Sequence, residues 1–293
     1  MVFQLLANGF VGGCLYAILA VSFGLIYNTT RTLHIAHGGT YTAGAYLCYL
    51  FLVQCDTPLW AAAGLAVLLS AVLGMGMELI IYAPLARRGG SPLVAFLSSL
   101  GLYVAIVNIV ALFFGNETKV LRPGIEKAYH FGSVILTSTQ LAQILVALVL
   151  LPAFVFFLRM TIWGKVILAV RDSQELASVI GINVQYTRIG VFALGSGMAG
   201  LAAVLAALNI GMDPQAGMPA LLTAAVALIV GGVGTFEGPI LGGFLLGLLQ
   251  SLMVWKFSAR WTDTMTFLVL ILVLIFRPSG IAGRRLRVEE NEA

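Results

Sequence analysis

The chain has 293 residues, 60% of them hydrophobic and only 10% charged, with a formal net charge of +4. A soluble domain of this size must wet its whole exterior, so the composition excludes one and points to an all-α, polytopic helical membrane protein. The small basic excess is what membrane topology produces, and nucleic acid is not an expected partner.

Crossing the hydrocarbon core takes about twenty apolar residues. The apolar runs predict nine spans (eight to ten at the limits), near residues 3–27, 35–54, 59–82, 92–115, 140–158, 188–208, 218–233, 239–256 and 263–277. Residues 1–293 read as a single transmembrane domain with a polar insert at 159–188. The first basic residue is Arg31, so the charged region of a cleavable signal peptide is missing and the first span is expected to be retained.

The second span opens with Arg31, His34 and His37, and on a helix His37, Tyr41, Gly44 and Cys48 share one face. That stripe, with Thr42 beside it, has the polar tips and close-approach glycine expected of a helix lining a water-filled path. The alternative is that the histidines cap local backbone at the membrane interface, the reading preferred for His34. Two histidines without a third ligand do not make a metal site, and Cys14, Cys48 and Cys55 have no ligand spacing, so no metal is expected. Glu78, one turn from the end of the third span, must pair with a cation or titrate. A structural pair with Arg31, Arg87 or Arg88 is the favoured reading, Arg31 first. Asn108 in the fourth span is a second candidate for the path.

Residues 116–139 form the longest loop on the other side, with Pro123, Gly124 and Gly132 as turn signals. The insert that follows carries Arg159, Lys165, Arg171, Asp172, Glu175 and Arg188. Within it Ser173 is a candidate N-cap and Gly181 a C-terminal stop, and Leu176, Val179 and Ile180 fall on one helical face. A short amphipathic helix presented to a soluble partner fits this pattern; an ordinary loop lying at the headgroups is the plainer alternative. The span at 218–233 ends in Gly231, Gly232 and Gly234 and suits a broken or re-entrant helix as well as a crossing. Gly9/Gly13, Gly238/Gly242, Gly243/Gly247, Ala193/Gly197 and Ser196/Gly200 are small-residue pairs at a spacing of four, expected to let helices pack closely. Turn chemistry accounts for Asn209, Asp213 and Pro214.

With the N-terminus outside, the inner side collects Arg31, Arg87, Arg88, Arg159, Lys165, Arg171, Arg188, Arg277, Arg284, Arg285 and Arg287. The outer side keeps Lys119, Arg122, Lys127, Lys256 and Arg260. Positive charge therefore favours N-out, C-in, which requires an odd number of crossings. No phosphate-binding loop is present: Gly164-Lys165 is followed by Val166 and lacks the upstream glycine. No catalytic residue and no cofactor are expected on this chain. If ATP drives it, another chain binds the nucleotide.

Four stretches together resemble the permease subunit of branched-chain amino-acid ABC importers, the high-affinity leucine/isoleucine/valine type. They are Arg31…Ile35-Ala36-His37-Gly38…Gly44-Ala45-Tyr46; Glu78…Tyr82-Ala83-Pro84-Leu85; Asp172…Ala177…Gly181-Ile182 with Ala199-Gly200; and Gly231-Gly232-Val233-Gly234-Thr235…Gly238-Pro239…Gly247, closed by Arg277-Pro278-Ser279-Gly280-Ile281. The resemblance implies a bacterial inner-membrane pore built from this chain and a second, homologous or identical permease chain. Two cytoplasmic ATP-binding subunits and an extracytoplasmic substrate-binding protein complete it, with membrane lipid around them. It implies alternating access, and it makes Glu175, Ala177 and Gly181, with Arg171 and Asp172 before them, the segment that couples to the ATPase. Close relatives of this kind carry urea or short amides, so the cargo is less fixed than the machine. The chain departs from the pattern at His34, Ile35 and Glu237, where Asn, Phe and a neutral residue are common. A proton- or ion-coupled secondary transporter of small polar solutes, with Glu78 and the histidines handling the ion, is the alternative reading.

Overall fold

The computed structural model describes residues 2–122, 124 and 126–283; Arg284, Arg285, Arg287 and Pro123, invoked above for topology and turns, lie outside the described residues. The elements in order are α1 (Val2–Thr30), α2 (Ala36–Tyr49, prolonged by a wide turn over Leu50–Gln54), α3 (Leu59–Met77), a wide turn over Glu78–Tyr82 and α4 (Ala83–Arg87). Then come α5 (Pro92–Phe114), the strands β1 (Ala128–Phe131) and β2 (Val134–Thr137), α6 (Ser138–Met160), α7 (Ile162–Asp172) and α8 (Gln174–Val179). The chain continues through α9 (Val184–Ile210), α10 (Gly217–Gly231), α11 (Gly238–Lys256) and α12 (Thr262–Phe276).

Among the described residues, seven helices are long and apolar enough to cross a bilayer, counting α3 to α4, and the short turn Ala259–Trp261 with α12, as continuous rods. The 14-residue α2 and the 15-residue α10 stand apart from that set. At about 1.5 Å per residue, α10 rises about 22 Å, short of a hydrocarbon core of about 30 Å. Both helices start inside the bundle. The amide of Ala36 donates to Ser99 Oγ (2.9 Å), two turns into α5. Thr42 Oγ1 donates to the carbonyl of Pro214 (3.3 Å), in the non-helical approach to α10. The span expected at 218–233 is therefore a short helix entered through a turn at 214–216.

The loops gather at two ends. At one, Gln4 bonds both backbone groups of Ile135 in the β1–β2 hairpin (2.7 and 2.9 Å), and Lys119 and Met212 exchange backbone bonds. At the other, Gln174 holds the Thr29 carbonyl (2.9 Å) and Asn28 holds Gly234 and Thr235. Residues 281 and 282 bond there to Val230 and Gly231. The start of α1 thus lies at the hairpin end, and the last described residues lie at the insert end.

The core is α1 and α9, both deeply buried, with the others around them; α12 has only Thr266 buried. The small-residue pairs are contact surfaces. A Cβ on Gly247 would overlap the Gly13 backbone, and one on Gly9 would sit 2.9 Å from Leu248 Cα, so α1 and α11 meet backbone to backbone. Gly74 faces Ser196, and Gly200 faces Ser70, at the α3–α9 seam. Such approach supplies dispersion contact where lipid offers no hydrophobic driving force. The wide turn at Glu78–Tyr82 has a local cause: Pro84 has no N–H to donate to the carbonyl four residues back, so the helix widens to keep its remaining bonds.

Candidate functional site

The insert is built from its caps. Thr161 accepts from the Gly164 amide (3.0 Å) to start α7, and Ser173 accepts from the Leu176 amide (3.2 Å) to start α8. Gly181, at φ +88°, closes α8: its amide donates to the Ser178 carbonyl and that of Ile182 to the Ala177 carbonyl, both at 3.0 Å. This paired closure requires a left-handed residue, and glycine takes that conformation without strain. The cap and stop read from the sequence are those the structure uses, over Gln174–Val179.

Ala177 is buried at 2% exposure and Gln174 bonds Thr29, so α8 is fastened to the bundle on one face. Leu176, Val179 and Ile180 turn the other way and are 68%, 78% and 73% exposed. Glu175 is exposed beside them and has no ion pair among the described residues. Arg171 and Asp172 pair with each other (2.7 Å), while the Arg171 guanidinium lies 5.3 Å from the centre of the Phe236 ring. Arg159 pairs with Glu237 (2.6 Å), which ties the end of α6 to the loop before α11. Burial raises the Glu237 carboxyl, but hydrogen bonding and charge from Arg159, with its own backbone and Arg171 adding, hold it below the ordinary carboxylate value.

Behind the insert, Arg188 opens the next helix and reaches Glu78 with two bonds, Nε–Oε1 at 2.6 Å and Nη2–Oε2 at 3.2 Å. Glu78 is fully buried and the Arg188 side chain 13% exposed. The expected partner Arg31 is not the one used. Arg31 lies at the surface beyond the end of α1, whereas the first turns of α9 bring Arg188 onto the wide turn that holds Glu78. The signal available in the sequence was that Arg188 is the last charge before a long apolar run.

The stripe expected to face water is closed off from solvent in this structure. His37 is fully buried and shares a hydrogen bond with Ser22 Oγ (2.9 Å); His34 is fully buried and bonds Tyr82 OH (2.7 Å). Gly44 is pressed onto Gly200 and Ser70, Thr42 is 2% exposed, and Tyr41 is half-buried against the core. Helical spacing places residues on one face but does not say what covers it, and here α1 and α9 do. Asn108 goes the opposite way: it is exposed on the outer surface of α5 and donates to the Val104 carbonyl (2.8 Å), so it does not join His37, Tyr41 and Thr42.

Residues 5–274 match the family described as the permease component of the branched-chain amino acid transport system. The chain belongs to this family. The permease is 28% identical to the high-affinity branched-chain amino acid transport system permease protein BraD of Pseudomonas aeruginosa, the match covering 96% of this chain and 95% of that one. It is 29% identical to LivH of Escherichia coli, of the same description, with the same coverage. Among solved structures it resembles PsaBC from Streptococcus pneumoniae in complex with Fab, with a TM-score of 0.52 at 14% identity over 94% of this chain and 93% of that one. That likeness concerns the fold alone. The permease is a polytopic helical membrane protein, and in it the coupling candidates Arg171, Asp172, Glu175, Ala177 and Gly181 gather at one end of the bundle.

Proposed function

We propose that this chain is the membrane subunit of an ATP-driven importer that moves branched-chain amino acids, or related small amides, by alternating access. It crosses the membrane nine times, counting α2 and α10, with the N-terminus outside and the insert end in the cytoplasm. The opposite placement of the start of α1 and residues 281–282 supports an odd number of crossings. The working pore pairs it with a second permease chain, two cytoplasmic ATP-binding subunits and an outer binding protein.

The observation that carries this reading is α8: a capped helix fastened by Ala177 and Gln174, with Leu176, Val179 and Ile180 turned to solvent. Three large apolar side chains on so short a helix are costly to leave wet, and a partner groove removes that cost. Arg188 and Glu78 then connect the helix to α3, so a push on α8 reaches the bundle. The bidentate engagement of Glu78 speaks against its use as a proton carrier. Passage requires α2 and α10 to part where Thr42 meets Pro214, since the stripe His37–Thr42 is closed here.

Gentle isolation of the tagged protein from its native membrane should recover an ATPase subunit, identified by mass spectrometry. Glu175→Arg should lose that subunit, and Gly181→Pro should lose coupled uptake, while both remain in the membrane. A homo-oligomer with no ATPase would end the importer reading.

A further inference from the structure

A cleft of about 410 Å³ opens at the insert end, between the end of α1, the α4–α5 turn and the start of α9. Its polar side holds Arg31, Arg188 and Tyr27, and its apolar side Leu33, Leu85 and Pro92. We propose that this cleft is a binding site for a small monocarboxylate with a short branched aliphatic body, the cargo itself on its inward side. The assignment rests on the importer reading for the identity of the ligand, but not for the chemistry of the site.

Charge comes first. Arg188 spends one positive charge on Glu78, so among the residues that line the cleft Arg31 is the uncompensated cation, with Arg87 and Arg88 beside the lining. Arg31 has no ion pair among the described residues. One uncompensated guanidinium beside a second, fixed one matches a carboxylate better than a doubly charged phosphate.

The backbone adds to this. Arg31 sits at φ 55°, a left-handed conformation that a non-glycine residue adopts at a cost, held by its amide bond to the Tyr27 carbonyl (2.8 Å). The left-handed residue ends α1 and leaves Arg31 on the wall of the cleft. The floor is fixed as well, because Tyr82 is locked by His34 at 2.7 Å. Thr30 Oγ1 donates to the Ile26 carbonyl (2.8 Å) and accepts from the Thr32 amide (3.3 Å), which fixes the chain on either side of Arg31. The apolar wall then takes the aliphatic body.

The test uses the purified complex in detergent, with isovalerate as the probe and saturation-transfer NMR of its methyl signals as the readout. Isovalerate and L-leucine should bind and compete, and 3-methylbutan-1-ol, which lacks the carboxylate, should not. Arg31→Gly keeps the left-handed backbone without strain and should weaken isovalerate about tenfold or more, the worth of a charge-assisted bond. Arg31→Lys should retain part of the binding. Leu33→Glu, at a position 41% exposed, leaves Arg31 in place but sets a competing carboxylate at the rim, and should abolish the signal. Unchanged binding in Arg31→Gly and Leu33→Glu would overturn the site. Displacement of isovalerate by inorganic phosphate as readily as by leucine would overturn the carboxylate assignment in favour of a phosphate or lipid-headgroup patch. Binding that behaves as expected in a complex that transports no branched-chain amino acid would keep the site and remove the proposed cargo. Transport of leucine with no isovalerate binding would do the reverse.

Discussion

Glu78 and Arg188 form the most deeply buried ion pair among the described residues: a fully buried carboxylate and a guanidinium 13% exposed have both left water. The pair itself adds little net stability, since desolvation offsets attraction. Removing one partner leaves an uncompensated charge, at about 3–5 kcal/mol. Glu78→Gln should therefore lower the thermal midpoint of the detergent-solubilised protein strongly. Arg31→Gln, aimed at the partner the sequence had suggested, should leave it nearly unchanged. Equal losses in both variants would mean that Arg31 also supports Glu78. The Arg159–Glu237 pair is of another kind: its side chains are 63% and 46% exposed, and pairs so placed contribute about 0–1 kcal/mol.

Among the elements, α1 and α11 show what glycine does in this fold. Gly13 and Gly247 face each other so closely that a single added carbon has no room, whereas Gly64 in α3 has no atom within 4 Å of where its Cβ would lie. Gly247→Ala should force the two helices apart, at about 1–3 kcal/mol by analogy with other overpacked sites, and lower the amount of protein in the membrane. Gly64→Ala should be neutral or stabilising by up to about 1 kcal/mol, because alanine is the better helix former. If the two variants behave alike, the packing role of the α1–α11 seam is wrong. The same logic separates α8 from its neighbours: its cap and closure are local, but its exposed apolar triplet acquires meaning only against another chain.

At the scale of the molecule, the orientation proposed from charge can be checked with cysteines. Cys14 and Cys48 are buried and Cys55 is exposed, at the end of α2 opposite the insert. In intact cells a membrane-impermeant maleimide should label Cys55. A cysteine placed at Ser178 should react only after the membrane is opened. The reverse pattern would invert the topology and turn the apolar face of α8 away from any cytoplasmic ATPase.

Composition and apolar run length alone determined the class of this protein, a polytopic helical membrane protein, because each apolar segment carries its own hydropathy. Ser173 and Gly181 could also be read in advance, since caps and left-handed turns depend on a few adjacent residues. The partner of Glu78 could not, because Arg188 lies 110 residues away and only the packing of α9 on the wide turn brings it near. Nor could the fate of the α2 stripe, where periodicity fixed a face and tertiary packing decided that α1 and α9 would cover it. The depth at which α2 and α10 begin was likewise settled by contacts, Ala36 with Ser99 and Thr42 with Pro214. Short-range geometry is written in neighbouring residues, whereas burial and pairing depend on which distant helices arrive, and that is a property of the folded bundle.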